Sequence, residues 1–249
     1  MTMLKDRVAL IAGASAGIGR AIAELFAAEG AAVVLMARRA GPLDEVAHGI
    51  RARGGRAAVV VGDATQADPH LRAVALACDQ FGGLDIAVNN AGLVGPVKPL
   101  ADLAPEDWDQ VLATNLTAGF LGVRAQIPAM LRRGSGAIIM ISSFVGSSVG
   151  LPGMAAYGAA KAGLSGLVKG IAADYGHLGI RANALLPGGT DTAMAGDQAQ
   201  KDWAAGLHAM KRIAAPSEIA TAALFLASPM ASFVTGTALY ADGGNAAVK

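Results

Sequence analysis

The chain of 249 residues contains one cysteine, Cys78. A lone thiol forms neither an intrachain disulfide nor a Cys-rich zinc site, which fits a reducing compartment, so a cytoplasmic protein is expected. No His-Glu-x-x-His or paired-cysteine spacing occurs, and no metal site is expected. Aromatics make up 4% of the chain and charged residues 16%, and twenty Lys and Arg against nineteen Asp and Glu leave a formal charge of +1. With so little net field, binding to nucleic acid or to an anionic membrane is not expected. Long apolar runs are missing too. After Lys5 and Arg7 the first run, 8–12, is too short for a signal-peptide core. The stretch 134–160 lacks Asp, Glu, Lys and Arg, yet its glycines, serines and Pro152 are unlike a spanning helix.

What the chain does contain is 33 glycines and an alternation of short apolar runs with longer helical patterns. That is the rhythm of βαβ units. Strands are expected at 8–12, 32–36, 57–61, 85–89, 137–142, 181–186 and 238–240, most of them continuously apolar, as strands covered on both faces should be. Helices are expected at 17–29, 42–53, 69–81, 105–132, 155–177 and 217–227. Gly30, Gly54, Gly82 and Gly134 follow helical runs as caps, and Pro42, Pro69 and Pro105 suit first turns. The whole chain, 1–249, reads as one α/β domain of the doubly wound, Rossmann type, with about seven parallel strands and helices on both faces. The irregular stretch 188–210 suits a mobile substrate lid.

Directly after the first strand come Gly13, Ser15, Gly17, Ile18 and Gly19, in the spacing Gly-x-x-x-Gly-x-Gly. Glycines let backbone approach a pyrophosphate, and the following helix offers its N-terminal amides. The same residues spell Gly-x-Ser-x-Gly, an elbow that would make Ser15 a hydrolase nucleophile. That alternative requires a later histidine, and His48, His70, His177 and His208 are the four present.

Tyr157 and Lys161 lie four residues apart in an expected helix and so share a face. An ammonium about 4 Å from a phenol, at an effective dielectric near 20, supplies about 4 kcal/mol, enough to lower a tyrosine from a pKa of about 10 toward neutrality. The plainer alternative is that Tyr157 packs and Lys161 snorkels. Asn89, Asn90, Ala91 and Gly92 close the fourth strand, Ser142 and Ser143 the fifth, and Asn115 lies in the helix between, all toward the end of the sheet where ligands bind.

In this order, together with Asp63, Pro187-Gly188 and Asp242-Gly243-Gly244, these motifs make the chain resemble the short-chain dehydrogenase/reductase family over nearly its whole length. The resemblance implies a catalytic tetrad of Asn115, Ser143, Tyr157 and Lys161. Tyr157 protonates the carbonyl oxygen as a nicotinamide delivers hydride, Ser143 bonds the developing oxyanion, and Lys161 lowers the tyrosine pKa and binds the nicotinamide ribose. Asn115 holds a water that links Lys161 to solvent. It also implies cofactor contacts from Gly13, Ser15, Gly17, Ile18, Gly19, Asp63, Ala64, Asn90, Ala91, Gly92, Tyr157, Lys161, Pro187, Gly188, Thr190 and Thr192. Two departures stand out. Ala12 replaces a threonine that usually tethers the turn, and Ser143 lies one residue farther from Tyr157 than is usual, so its assignment rests on the Ser-x-x-Gly context of Ser143 and Gly146, with Ser142 as the second candidate.

At the end of the second strand, where a carboxylate would bond the ribose of NAD, the chain has Ala37, Arg38 and Arg39. Guanidinium groups there suit the 2′-phosphate of NADP, so NADP(H) is favoured and NAD(H) remains open. Phe144, Val145, Val149, Leu151, Met154, Leu93, Val94 and Met194 suggest an apolar pocket and a small ketone or secondary alcohol as substrate. The alternatives are a 3-oxoacyl-carrier reductase, with Arg132 and Arg133 facing an acidic carrier, and a non-catalytic cofactor-binding regulator. The resemblance further implies a homotetramer.

Overall fold

A computed structural model of the chain describes residues 2–248; positions 1 and 249, included in the expected domain, lie outside them. The apolar runs become seven strands, β1 (Val8–Ala12), β2 (Ala32–Ala37), β3 (Arg56–Val61), β4 (Ile86–Asn89), β5 (Gly136–Ile141), β6 (Ile180–Pro187) and β7 (Ala238–Ala241). All pair in parallel, in the order β3-β2-β1-β4-β5-β6-β7. The chain winds outward from β1 to β3 and then returns to place β4 beside β1. At that reversal the connections leave in opposite directions, and a crevice opens at the C-terminal strand ends.

Helices α1 (Gly17–Ala28), α2 (Ala40–Ala52), α3 (Ala67–Phe81), α4 (Pro105–Leu112), α5 (Ala118–Arg133), α6 (Ala155–Tyr175), α7 (Gln198–Gly206), α8 (Pro216–Ala227) and the short α9 (Asn245–Val248) complete the chain. Two cores result. Ile11, Leu35 and Ile139 pack with Phe26, Leu43 and Ile219 on one face of the sheet, while Leu10, Val34 and Met140 pack with Val74, Met130 and Leu164 on the other. Successive strand residues point to opposite faces, so a sheet covered twice selects apolar residues along nearly the whole of its central strands. Among the described residues no helix is long and apolar enough to cross a membrane.

Two expected elements differ. The helix anticipated over 105–132 is α4 and α5, joined by a π-helical turn, Ala113–Thr117. At its centre the Asn115 side chain bonds the Val111 carbonyl four residues back, at 2.9 Å, a local competition with the helical ladder that apolar periodicity does not reveal. The irregular stretch 188–210 contains α7, opened by a reciprocal capping box between Asp197 and Gln200. None of the α7 residues is buried, so the segment carries no apolar stripe from which a helix could be read. Lesser shifts occur at element ends. Asp85, for example, lies just before β4, with its buried carboxylate facing Arg7 and Arg133.

Candidate active site

The turn after β1 is bare backbone. Gly13 and Gly17 have φ of +81° and +54°, and a Cβ on Gly19 would overlap the Gly13 carbonyl. Ala16, at the N-cap of α1, makes no side-chain hydrogen bond, so the first-turn amides remain free for an anion. Asn90 donates to the Gly13 carbonyl at 3.0 Å and ties the turn to the exit of β4, a tether supplied from the neighbouring strand in a chain that has Ala12. Such a cradle fits a dinucleotide pyrophosphate. Ser15 is half-buried beside it. The two buried histidines are engaged elsewhere, His70 with the Ala64 carbonyl and His208 with the Gly189 amide, and no histidine bonds Ser15 among the described residues. The hydrolase alternative therefore fails.

Asn115, on the π-helical turn, is buried. Its Oδ1 accepts from Leu93 N–H at 3.1 Å, and its Nδ2 donates to the carbonyls of Leu93 and Val111 at 2.8 and 2.9 Å. The side chain thus clamps the loop that leaves β4. A Cβ on Gly92 would stand 2.9 Å from Asn115 Oδ1 and 3.3 Å from Lys161 Nζ, so both polar groups flank one bare backbone position.

Beyond β5, Ser142 and Ser143 separate in role. Ser142 Oγ donates to the Lys161 carbonyl at 2.7 Å and fastens β5 to α6. Ser143 Oγ accepts from Val145 N–H, which leaves its own proton free to donate. Gly146, at φ +87°, lets this loop meet α6 so closely that a Cβ would overlap the Gly158 carbonyl, one residue beyond Tyr157. This is the physical content of the Ser-x-x-Gly spacing. Lys161 Nζ donates to the Ile141 carbonyl at 2.8 Å and lies 5.7 Å from the centre of the Tyr157 ring.

The electrostatics differ from the expected lowering of the tyrosine by the ammonium. Burial dominates at both groups. It pushes the Tyr157 phenol above its ordinary value, with Ser143 pulling the other way, and it brings Lys161 down to about 8. At neutral pH the phenol is protonated.

Around these groups lies an apolar wall of Phe144, Val145 and Tyr157, with Val94, Leu151 and Met154 half-buried against it. At the far end of the crevice Arg38 and Arg39 are exposed and make no ion pair among the described residues. The Asp63 carboxylate accepts from the Thr65 N–H and hydroxyl. After β6, buried Thr190 donates to the Gly188 carbonyl at 3.0 Å, while Thr192 reaches over Gly17. Of the two arginines expected to face an acidic carrier, Arg133 is bonded to buried Asp85 while still exposed, and Arg132 is exposed. Apolar periodicity does not show the π-helical turn, and the sequence offers His208 only as one of four histidines. For the turn, the only signal in the sequence was an asparagine inside a long helical pattern.

A family model described as enoyl-(acyl carrier protein) reductase matches residues 13–246. The chain is 43% identical over 247 residues to the A-factor type gamma-butyrolactone 1′-reductase (1S-forming) of Streptomyces virginiae, covering 97% of this chain and 96% of that protein. It is 41% identical over 245 residues to the cis-4-hydroxycyclohexanecarboxylate dehydrogenase of Sinomonas cyclohexanicum, with 98% of each covered. Among solved structures, levodione reductase superposes with a TM-score of 0.93 at 32% identity, covering 99% of this chain and all of that one.

Proposed function

Because the chain belongs to the short-chain dehydrogenase/reductase family and is an NAD(P)-dependent oxidoreductase, we propose that it transfers hydride between NADP(H) and a small, apolar, ring-bearing ketone or secondary alcohol. The observation that carries this reading is the convergence of Asn115, Ser143, Tyr157 and Lys161 between the glycine turn and the apolar wall. The glycine turn, Asp63 and Ala64, the segment 90–92 and the segment 187–192 hold the dinucleotide. Bound there, its nicotinamide supplies the hydride for reduction or accepts it in oxidation.

The residues do the rest. Ser143 donates its free hydroxyl proton to the substrate oxygen and stabilises the charge that develops there. Tyr157, kept protonated by burial, gives its proton to the same oxygen, work that general acids typically do for about 10²- to 10⁴-fold in rate. Lys161, held by the Ile141 carbonyl, would offer its remaining ammonium protons to the nicotinamide ribose, and Asn115 fixes the loop at Gly92 that would border it. Arg38 and Arg39, exposed and with no carboxylate bonded to them among the described residues, suit the extra phosphate of NADP. The stretch 188–210 is the lid, and Met194, Trp203 and Met210 are exposed large apolar side chains on it. A ring-bearing substrate agrees with the apolar wall and with the cyclic compounds in the relatives' names.

A panel of cyclic and open-chain ketones and alcohols, assayed with NADPH and NADH and their oxidised forms, tests the reading. Turnover is expected to be fastest with a cyclic ketone and NADPH. Hydride transfer to none of the carbonyls in stopped flow would favour the regulator.

A further inference from the structure

One buried side chain has no place in this mechanism. His208, 1% exposed, follows α7 at the end of the lid segment. Its Nε2 accepts the Gly189 N–H at 3.0 Å, and its ring meets Phe144 edge-on with 5.6 Å between centroids. Both contacts lead toward the reacting groups. Gly189 lies between Gly188 and Thr190, whose hydroxyl bonds the Gly188 carbonyl. Phe144 follows Ser143, and its N–H donates to the Pro187 carbonyl at 3.2 Å.

The approach is close. A Cβ on Gly188 would stand 2.7 Å from His208 Cε1, and one on Gly189 would stand 3.0 Å from Nε2, so the ring bears directly on the backbone. Beside it, a cavity of about 170 Å³ is lined by Gly188, Gly189, His208, Ala214 and Asp242, among others. On that side the turn faces the pocket, and the bond to Nε2 fixes the Gly189 N–H while the Gly189 carbonyl accepts the Ala214 N–H at 2.8 Å and the Gly188 N–H donates to the Ala241 carbonyl at 3.0 Å. Accepting that bond requires a neutral ring with the proton on Nδ1, an atom with no hydrogen-bond partner among the described residues. Burial outweighs the upward pull that the Asp242 carboxylate beside the ring exerts on its pKa. The Asp242 carboxylate accepts from the Gly244 and Ala246 amides, Arg212 pairs with Glu218, and Lys211 Nζ bonds the Gly206 carbonyl. Burial holds the imidazole pKa below its ordinary value.

We infer that His208 is a positioning residue, acting through Gly189 and Phe144 to hold the segment 187–192 and Ser143 in register for hydride transfer. The inference rests on the reading of 187–192 as the nicotinamide-facing segment.

His208→Phe keeps an aromatic ring and removes the acceptor; His208→Gln keeps an acceptor and removes the ring. Affinities for NADPH, NADH and ADP-ribose, which lacks the nicotinamide, are measured by calorimetry on the full chain. The Phe variant is expected to bind the preferred dinucleotide about tenfold more weakly and ADP-ribose within about twofold of wild type, with the Gln variant restored to within about threefold. A residue that serves stability alone would move both ligands together or neither. Unchanged dinucleotide binding in the Phe variant, equal loss for ADP-ribose, or a Gln variant as impaired as Phe would overturn the inference. Should the Phe variant fail to fold, nitrogen NMR of ¹⁵N-histidine-labelled wild type decides, since a proton on Nε2 of His208 would eliminate the bond to Gly189. Thr190→Val is measured alongside. If it leaves dinucleotide affinity unchanged, the reading of the segment and the inference fall together; if it weakens binding while His208→Phe does not, only the inference falls.

Discussion

Replacing Asn115 by Ala removes three hydrogen bonds at once, and the cost follows from where they go. Two reach the Leu93 backbone and the third the buried Val111 carbonyl, all between 2.8 and 3.1 Å. A typical bond contributes about 1 kcal/mol net, and a buried group left without a partner costs about 1 to 3 kcal/mol, so a loss of about 2 to 4 kcal/mol is expected. For a chain of this length that corresponds to a melting temperature lower by roughly 5 to 15 °C at fixed protein concentration. The π-helical turn should relax toward regular helix as the competing acceptor is freed, and the loop carrying Asn90 and Gly92 should loosen. Thermal melts followed by circular dichroism provide the assay, with kcat measured well below the transition to read the loosened loop. A change below about 0.5 kcal/mol, the level of an ordinary surface substitution, would refute the claim that this side chain clamps the β4 exit.

Tyr157→Phe should leave dinucleotide binding intact and lower kcat by about 10²- to 10⁴-fold, and retained turnover would remove the phenol from the reaction. Arg38→Ala should weaken NADPH by about tenfold or more, a value reduced by the exposure of the site, and spare NADH; equal loss for both would reject the phosphate contact. Burial lowers Lys161 from 10.5 to about 8, so between those values the unfolded chain holds a proton that the native chain has released. Its contribution to stability therefore rises with pH across that window, by about 3 kcal/mol in all, and is missing below it. Lys161→Met should flatten the difference, and urea denaturation curves with the same pH dependence in both proteins would contradict it. Phe233 is fully exposed, with Met230 and Tyr240 also open to solvent, and a homotetramer, which the family resemblance implies, would be expected to bury such side chains. Sedimentation should give about four times the 24.8 kDa chain mass, shifted to smaller species in Phe233→Asp.

The sequence by itself determined the sheet, because strands covered on both faces are apolar at nearly every position. The runs at Val8–Ala12 and Ala32–Ala37 could hardly be anything else once helical stripes flanked them. It also located the glycine turn and the Tyr157–Lys161 pair, since spacing within a single turn or helix fixes proximity without reference to the rest of the chain. Tertiary structure decided what depends on residues distant in the sequence. The tether from Asn90 to Gly13 spans 77 positions, and the bond from Gly189 to His208 joins segments on either side of α7. Burial of Tyr157 and Lys161, which reverses the expected direction of the tyrosine shift, arises from the loop at Gly146 folding over α6 and from β5 lying behind it. Periodicity reports which face of an element avoids water. It carries no information about the polar partner that arrives from another element, and that partner sets hydrogen bonding, desolvation and acidity in the site.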